Sequence, residues 1–237
     1  MEQGSLACLF SKTGQEADYT KWWIEQTTYR KDEMLDTQGF NIFVPAKVFA
    51  PDPRVTRSVS LFMENAKDMT GMRVLDIGTG TGILALHAVW EGAREVVATE
   101  IDQAALAAAR RNFSAYAVGD KVKLVEQGVL DCSWGRFDRI MMNIIFSTPQ
   151  LTQEQTSALA QSTLSIHRDL FTKLDVLMTA TGKCCLGFAS FGDIEGLEKE
   201  LVNLQSRLPV ALTCKSERRF DVNWYYLELS RPPTLSL

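Results

Sequence analysis

The chain has 237 residues, of which 46% are hydrophobic and 23% charged, a balance that excludes a disordered or collagen-like polypeptide and allows a sizeable buried core. Lys and Arg number 25 against 29 Asp and Glu, for a formal charge of -4, so a phosphate backbone is a disfavoured partner. No run approaches the roughly 20 apolar residues that span a bilayer. Residues 6–10 form only a short apolar run behind Glu2, and residues 232–237 carry no prenylation box. Neither secretion nor membrane attachment is expected, and a cytoplasmic location is. The five cysteines, Cys8, Cys132, Cys184, Cys185 and Cys214, contain no C-x-x-C pair, which predicts free, mostly buried thiols and no thiolate metal site.

No Pro/Gly/Ser-rich linker divides the chain, which predicts one elaborated domain with residues 1–70 as a helical extension or lid and 71–237 as its core. In the extension, 17–35 reads as a helix with Tyr19, Trp22, Trp23 and position 26 on one face and Tyr29 near it. That aromatic face either pins the helix to the core or closes over a site as a lid. A second helix over 54–68 follows the Pro51-Asp52-Pro53 punctuation. Strands are then expected at 72–77, 95–100, 122–126, 137–143, 182–189, 210–215 and 223–230, and helices at 82–90, 103–116, 152–177 and 193–206. Such alternation is the pattern of parallel strands joined by crossover helices. The last two strands are separated only by a polar turn at 216–221, too short for a helix, so the terminal strand should enter the sheet antiparallel.

The most informative stretch is Val74-Leu-Asp-Ile-Gly-Thr-Gly-Thr-Gly-Ile, a buried strand, a glycine-rich turn and the start of a helix. Gly78, Gly80 and Gly82 let the backbone turn sharply and come within contact of a ligand that a Cβ would displace. Their spacing is G-x-G-x-G; position 83 is Ile, one residue early for the G-x-G-x-x-G of a dinucleotide site. One strand later the chain reads Val96-Val-Ala-Thr-Glu-Ile-Asp, and a carboxylate there can accept from both hydroxyls of a ribose. Glu100 suits that role, whereas Asp102 suits the N-cap of the next helix, accepting from N–H groups near Ala104 and Ala105.

With Asp76, the glycine loop and Glu100 in this order, residues of about 45–230 resemble the S-adenosylmethionine-dependent methyltransferases of the seven-stranded Rossmann-like (class I) family. The resemblance implies an α/β, Rossmann-like fold with a mostly parallel sheet of seven strands, an antiparallel last strand, helices on both faces and an N-terminal helical extension. It implies S-adenosyl-L-methionine as the cofactor, held by Asp76, Gly78, Thr79, Gly80, Gly82 and Asn143, with Glu100 on the ribose hydroxyls. Ile101 would pack on the adenine, and Asp131, in Gly128-Val-Leu-Asp, would approach its amino group. After the fourth strand comes Asn143-Ile-Ile-Phe-Ser-Thr-Pro, where the family places the transferring methyl, so Asn143 and Phe146 are the candidate catalytic residues. Methyltransferases of release-factor glutamine read Asn-Pro-Pro there; the core is also similar to ribosomal-protein lysine methyltransferases, which read Asn-Ile-Leu.

Methyl transfer is an in-line displacement that needs a positioned, deprotonated nucleophile and no covalent enzyme residue. The expected activity is transfer to a nitrogen or oxygen of a small molecule or peptide. The alternatives are a protein lysine or glutamine N-methyltransferase and a cofactor-binding subunit without catalysis. His87 and His167 read as helix-face residues rather than bases, and Arg110-Arg111 and Arg218-Arg219 as solvated faces. Cys184 and Cys185, neighbours in a strand, should point to opposite faces.

Overall fold

The computed structural model of the chain describes residues 10–14, 16, 19, 22, 23, 26, 31–128, 130–144 and 164–232. Glu16, Tyr19, Trp22, Trp23 and Gln26 are helical, but the helix expected over 17–35 stops short, because β1 (Glu33–Thr37) and β2 (Phe40–Val44) form an antiparallel hairpin there. Leu35, Thr37, Phe40, Ile42 and Val44 alternate into the protein, a period of two that the aromatic spacing upstream concealed. Gln38 and Gly39, at φ of 52° and 84°, make the two-residue turn, in the left-handed region such hairpins demand. The second helix, α1 (Ser58–Asn65), is shorter than the expected 54–68. At its start the Asp52 carbonyl accepts from the N–H groups of Val55 and Thr56, which holds 52–56 as a turn.

Beyond α1, β3 (Arg73–Ile77) lies between parallel neighbours β4 (Glu95–Glu100) and β6 (Phe137–Met142). All its residues after Arg73 are buried, as a strand covered on both faces requires. With β5 (Val122–Glu126), β7 (Met178–Ala189), β8 (Ala211–Arg219) and β9 (Val222–Ser230), the strands order as β5-β4-β3-β6-β7-β9-β8. The sheet is seven-stranded and mostly parallel, and β9 runs antiparallel to both β7 and β8. The turn before β9 is only Phe220 and Asp221, at φ of 57° and 58°. This turn geometry favours Asn-Gly or Asp-Gly, so a Phe-Asp pair does not announce it and the strands run longer than the sequence suggests.

Among the described residues, four further helices link the strands: α2 (Ile83–Trp90), α3 (Gln103–Ala115), α4 (Leu164–Leu177) and α5 (Ile194–Arg207). The helix expected over 152–177 is seen from Leu164; its first part lies outside the described residues. One apolar core joins α1, α2, α3 and the hairpin to one sheet face, and a second joins α4 and α5 to the other. Cys185 belongs to the first core and Cys184 to the second, as expected of strand neighbours. Tyr19 and Trp23 are buried in the first core, against Phe191 and Trp224 and against Phe49 and Phe191 respectively, while Trp22 stays 38% exposed. Among the described residues no helix is long and apolar enough to cross a membrane.

Candidate active site

The C-terminal ends of β4, β3 and β6 lie side by side, and the chain moves from β3 to β4 on one side and later to β6 on the other. A crevice at such a reversal of strand order is where open α/β sheets bind their ligands. Each of these ends contributes a part of the candidate site: Glu100 from β4, the glycine loop from β3, Asn143 from β6.

The loop is held from beneath. Asp76 is 1% exposed, and its carboxylate accepts from the Thr79 hydroxyl at 2.6 Å, while the Thr79 N–H donates to the Thr99 carbonyl at 2.9 Å. Gly82, at φ 88°, starts α2 in the left-handed region, and a Cβ there would stand 2.6 Å from the Phe113 ring. By contrast, a Cβ at Gly80 would meet nothing within 4 Å, so the loop's outer bend faces open space. Asn112 of α3 ties this loop to the hairpin, donating to the carbonyls of Thr81 at 2.8 Å and Phe43 at 3.0 Å and accepting from the Phe43 N–H.

Glu100 crosses from β4 to the loop. One carboxylate oxygen accepts from the Gly80 N–H at 2.9 Å, and the other from the N–H groups of Ile101 at 2.8 Å and Asp102 at 3.1 Å. A carboxylate has about four acceptor sites, so the oxygen facing Gly80 keeps capacity for a ligand hydroxyl. Asp102 caps α3 by accepting from Ala105 at 2.8 Å, as its position predicts. Ile101 packs against the backbone beyond β5: a Cβ at Gly128 would lie 2.8 Å from its side chain. Asp131 accepts from the Ser133 N–H at 2.8 Å, which holds its carboxyl below the usual carboxylate range and caps a short 3-10 turn, Cys132–Trp134.

Asn143 follows β6 directly. Its amide nitrogen donates to the Ser58 hydroxyl at 3.4 Å, and its amide oxygen is buried without a hydrogen-bond partner among the described residues. The next residue, Ile144, packs over the loop, within 2.8 Å of where a Cβ on Gly78 would stand. An isoleucine in place of a proline there serves as an apolar cover on the glycine turn. Phe146, the other expected catalytic residue, lies outside the described residues. The histidines stand apart. Burial lowers His87, whose Nε2 lies 2.7 Å from the Ala66 carbonyl, while burial pushes His167 on α4 down to about 3, keeping it neutral in the opposite layer. Sequence reasoning missed Ser58, which carries no motif, and Gly187, and gave no role to Ile144 within the stretch after the fourth strand; for Gly187, a glycine inside an apolar strand is a signal of close approach.

Burial pushes the Asp76 carboxyl up from 3.8 to about 7, outweighing the hydrogen bond from Thr79. Because the folded chain then binds this proton more tightly than the unfolded chain, the group's contribution is most favourable near pH 4 and is lost as pH rises towards 7. Asp76→Asn is expected to flatten that dependence, so melting temperatures measured from pH 4.5 to 8 should fall less steeply with pH than in wild type. An unaltered slope would assign the effect to other groups.

The cradle fits S-adenosylmethionine on two observations: side-chain-free backbone facing open space at Gly80, and a carboxylate at a strand end with acceptor capacity left over. A family model of ribosomal protein L11 methyltransferase matches residues 54–168. The chain is 33% identical over 93 residues to the ribosomal protein L11 methyltransferase of Haemophilus ducreyi, covering 39% of this chain and 32% of that protein. With the same protein of Rhodopseudomonas palustris it shares 37% over 98 residues, covering 39% of this chain and 33% of that one. It therefore spans about a third of the length of these curated relatives. Among solved structures, a ribosomal protein L11 methylase from Lactobacillus delbrueckii subsp. bulgaricus superposes with a TM-score of 0.58 at 22% identity, over 86% of this chain and 92% of that one. A tRNA m1G37 methyltransferase of M. jannaschii gives 0.59 at 12% identity, over 87% of this chain and 58% of the other. In fold and in its glycine-loop motif the chain is similar to the class I S-adenosylmethionine-dependent methyltransferases. Within that class, its matched segment is similar to the ribosomal protein L11 methyltransferases.

Proposed function

We propose that this chain transfers a methyl group from S-adenosylmethionine to a nitrogen or oxygen nucleophile of a small molecule or peptide. The observation that carries this reading is the convergence of the glycine loop, Glu100 and the unpaired amide oxygen of Asn143 on adjacent strand ends. When bound, the cofactor supplies an electrophilic methyl on a sulfonium. Gly78, Thr79, Gly80 and Gly82 would hold it by backbone, with Asp76 supporting the loop from beneath, Glu100 on the ribose and Ile101 beside the adenine. Asp131 is the candidate for the adenine amino group. Asn143 accepts a hydrogen bond from the nucleophile's N–H or O–H and so fixes the direction of its lone pair, which is the main requirement of an in-line displacement. Phe62 presents apolar surface near Asn143, both lying within about 3 Å of where a Cβ on Gly187 would stand. No carboxylate or imidazole among the described residues is hydrogen-bonded to Asn143, so an amine would shed its proton to solvent before binding.

A protein nitrogen is the second reading, favoured by the relatives whose name specifies ribosomal protein L11. Both readings predict that the demethylated donor product binds in calorimetry and that NADH does not, because G-x-G-x-G offers no pyrophosphate turn. Tight NADH binding without a response to the methyl donor would overturn them. Incubation with methyl-tritiated donor and either purified bacterial ribosomal protein L11 or a panel of small amines and peptides then separates the acceptors. Donor binding with no label in any acceptor would favour a cofactor-binding subunit without catalysis.

A further inference from the structure

Asn143 stands directly across from Gly187, since Met141 and Met142 of β6 pair with Cys185 and Leu186 of β7. The missing side chain matters here. A Cβ on Gly187 would sit 2.2 Å from the Asn143 amide oxygen and 3.1 Å from Phe62, so the amide occupies the space that any other residue would fill. On the other side its nitrogen donates to the Ser58 hydroxyl at 3.4 Å, and Ser58 in turn lies 3.1 Å from the Thr56 hydroxyl. Donation from Ser58 to Thr56 leaves the Ser58 oxygen free to accept, which orients the chain Asn143 to Ser58 to Thr56. In this orientation the amide oxygen lies over Gly187 beside Phe62 and is left unpaired among the described residues. Arg57, next to Ser58, is clamped by Glu64 and Glu217 of β8, so the start of α1 is held to the sheet's far edge.

We propose that Ser58 and Gly187 are positioning residues for Asn143: the hydroxyl holds the amide nitrogen, the absent Cβ makes room for the oxygen, and together they keep that oxygen unpaired for the hydrogen of the acceptor. This rests on the methyl-transfer reading above and assigns it two residues from elements remote in sequence. Neither residue touches the acceptor; each acts through the asparagine.

Two variants test it. Gly187→Ala is compatible with its extended backbone, and the nearest atom it displaces is the end of a flexible side chain, so the fold should survive while the amide moves. Ser58→Ala removes the hydroxyl alone. In 15N-labelled protein, the Asn143 side-chain amide signals, assigned by their loss in Asn143→Ala, should shift in Gly187→Ala and exchange with solvent at least tenfold faster in Ser58→Ala. Calorimetry with the demethylated donor product should stay within about threefold of wild type for both. With ribosomal protein L11 or the best acceptor of the panel, kcat should fall at least tenfold while KM holds within about threefold, a split that general destabilisation would not produce. Unchanged amide signals in both variants would overturn the proposal, as would a moved amide with undiminished kcat. Should wild type label no acceptor, the methyl-transfer reading fails and the positioning of Asn143 is decided by the amide signals alone.

Discussion

Glu100→Ala should weaken binding of S-adenosylmethionine and of its demethylated product by about 1–3 kcal/mol, or about 5- to 150-fold in Kd, the scale of a lost charged hydrogen-bonding group. The carboxylate accepts from Gly80, Ile101 and Asp102, so its removal also leaves three backbone N–H groups to water and loosens the glycine loop. A melting temperature a few degrees lower should therefore accompany the loss of affinity. Glu100→Asp should recover part of the affinity but not the contact to Gly80, because the shorter side chain reaches less far across the gap between strand ends. Calorimetry on the three proteins checks both effects. An alanine variant that binds as wild type would move the ribose contact elsewhere, and Asp102, already spent on capping α3, would be the first alternative to examine.

Asn143→Ala should lower the single-turnover rate of methyl transfer by about 10- to 100-fold while leaving donor affinity within a few-fold. An acceptor-positioning group contributes chiefly in the transition state, and about 1.4–2.7 kcal/mol corresponds to that range. The geometry separates this from a structural role: among the described residues the amide oxygen is unpaired and the nitrogen's one contact is long, so its removal breaks no strong hydrogen bond there. Stability should accordingly change little. A variant that loses melting temperature and donor affinity together would instead make Asn143 a cap for the strand end. A variant that turns over at the wild-type rate would pass acceptor positioning to other residues, Phe146 among them.

The parts legible in the sequence are those written into contiguous residues. Val74-Leu-Asp-Ile with the glycines after it specifies a buried strand, a tight turn and a helix start without reference to the rest of the chain. Asp102 announced its cap because a cap is made within three residues. Parallel order followed from alternating strands and helices, and the antiparallel end from a connection too short for a crossover. The hairpin at Glu33–Val44 was hidden because its strands are short and a helical aromatic pattern ran up to them. Asp131 matches a family pattern by position, and only the structure shows that its carboxylate also caps the turn at Cys132–Trp134.

By itself, then, the sequence determined the class of fold, the glycine loop and the carboxylate one strand away that make up the candidate cofactor site, because each depends on residue types at short, fixed spacing. Only the tertiary structure decided what surrounds the end of β6. Ser58 reaches Asn143 across 85 positions of sequence, and Gly187 comes under it from a strand on the far side of a long connection. Such contacts are set by strand order, register and the way α1 lies on the sheet, so single residues carry no local trace of them. A serine at the start of a helix and a glycine in a strand are ordinary in isolation. The packing of one sheet face places them on either side of the same amide.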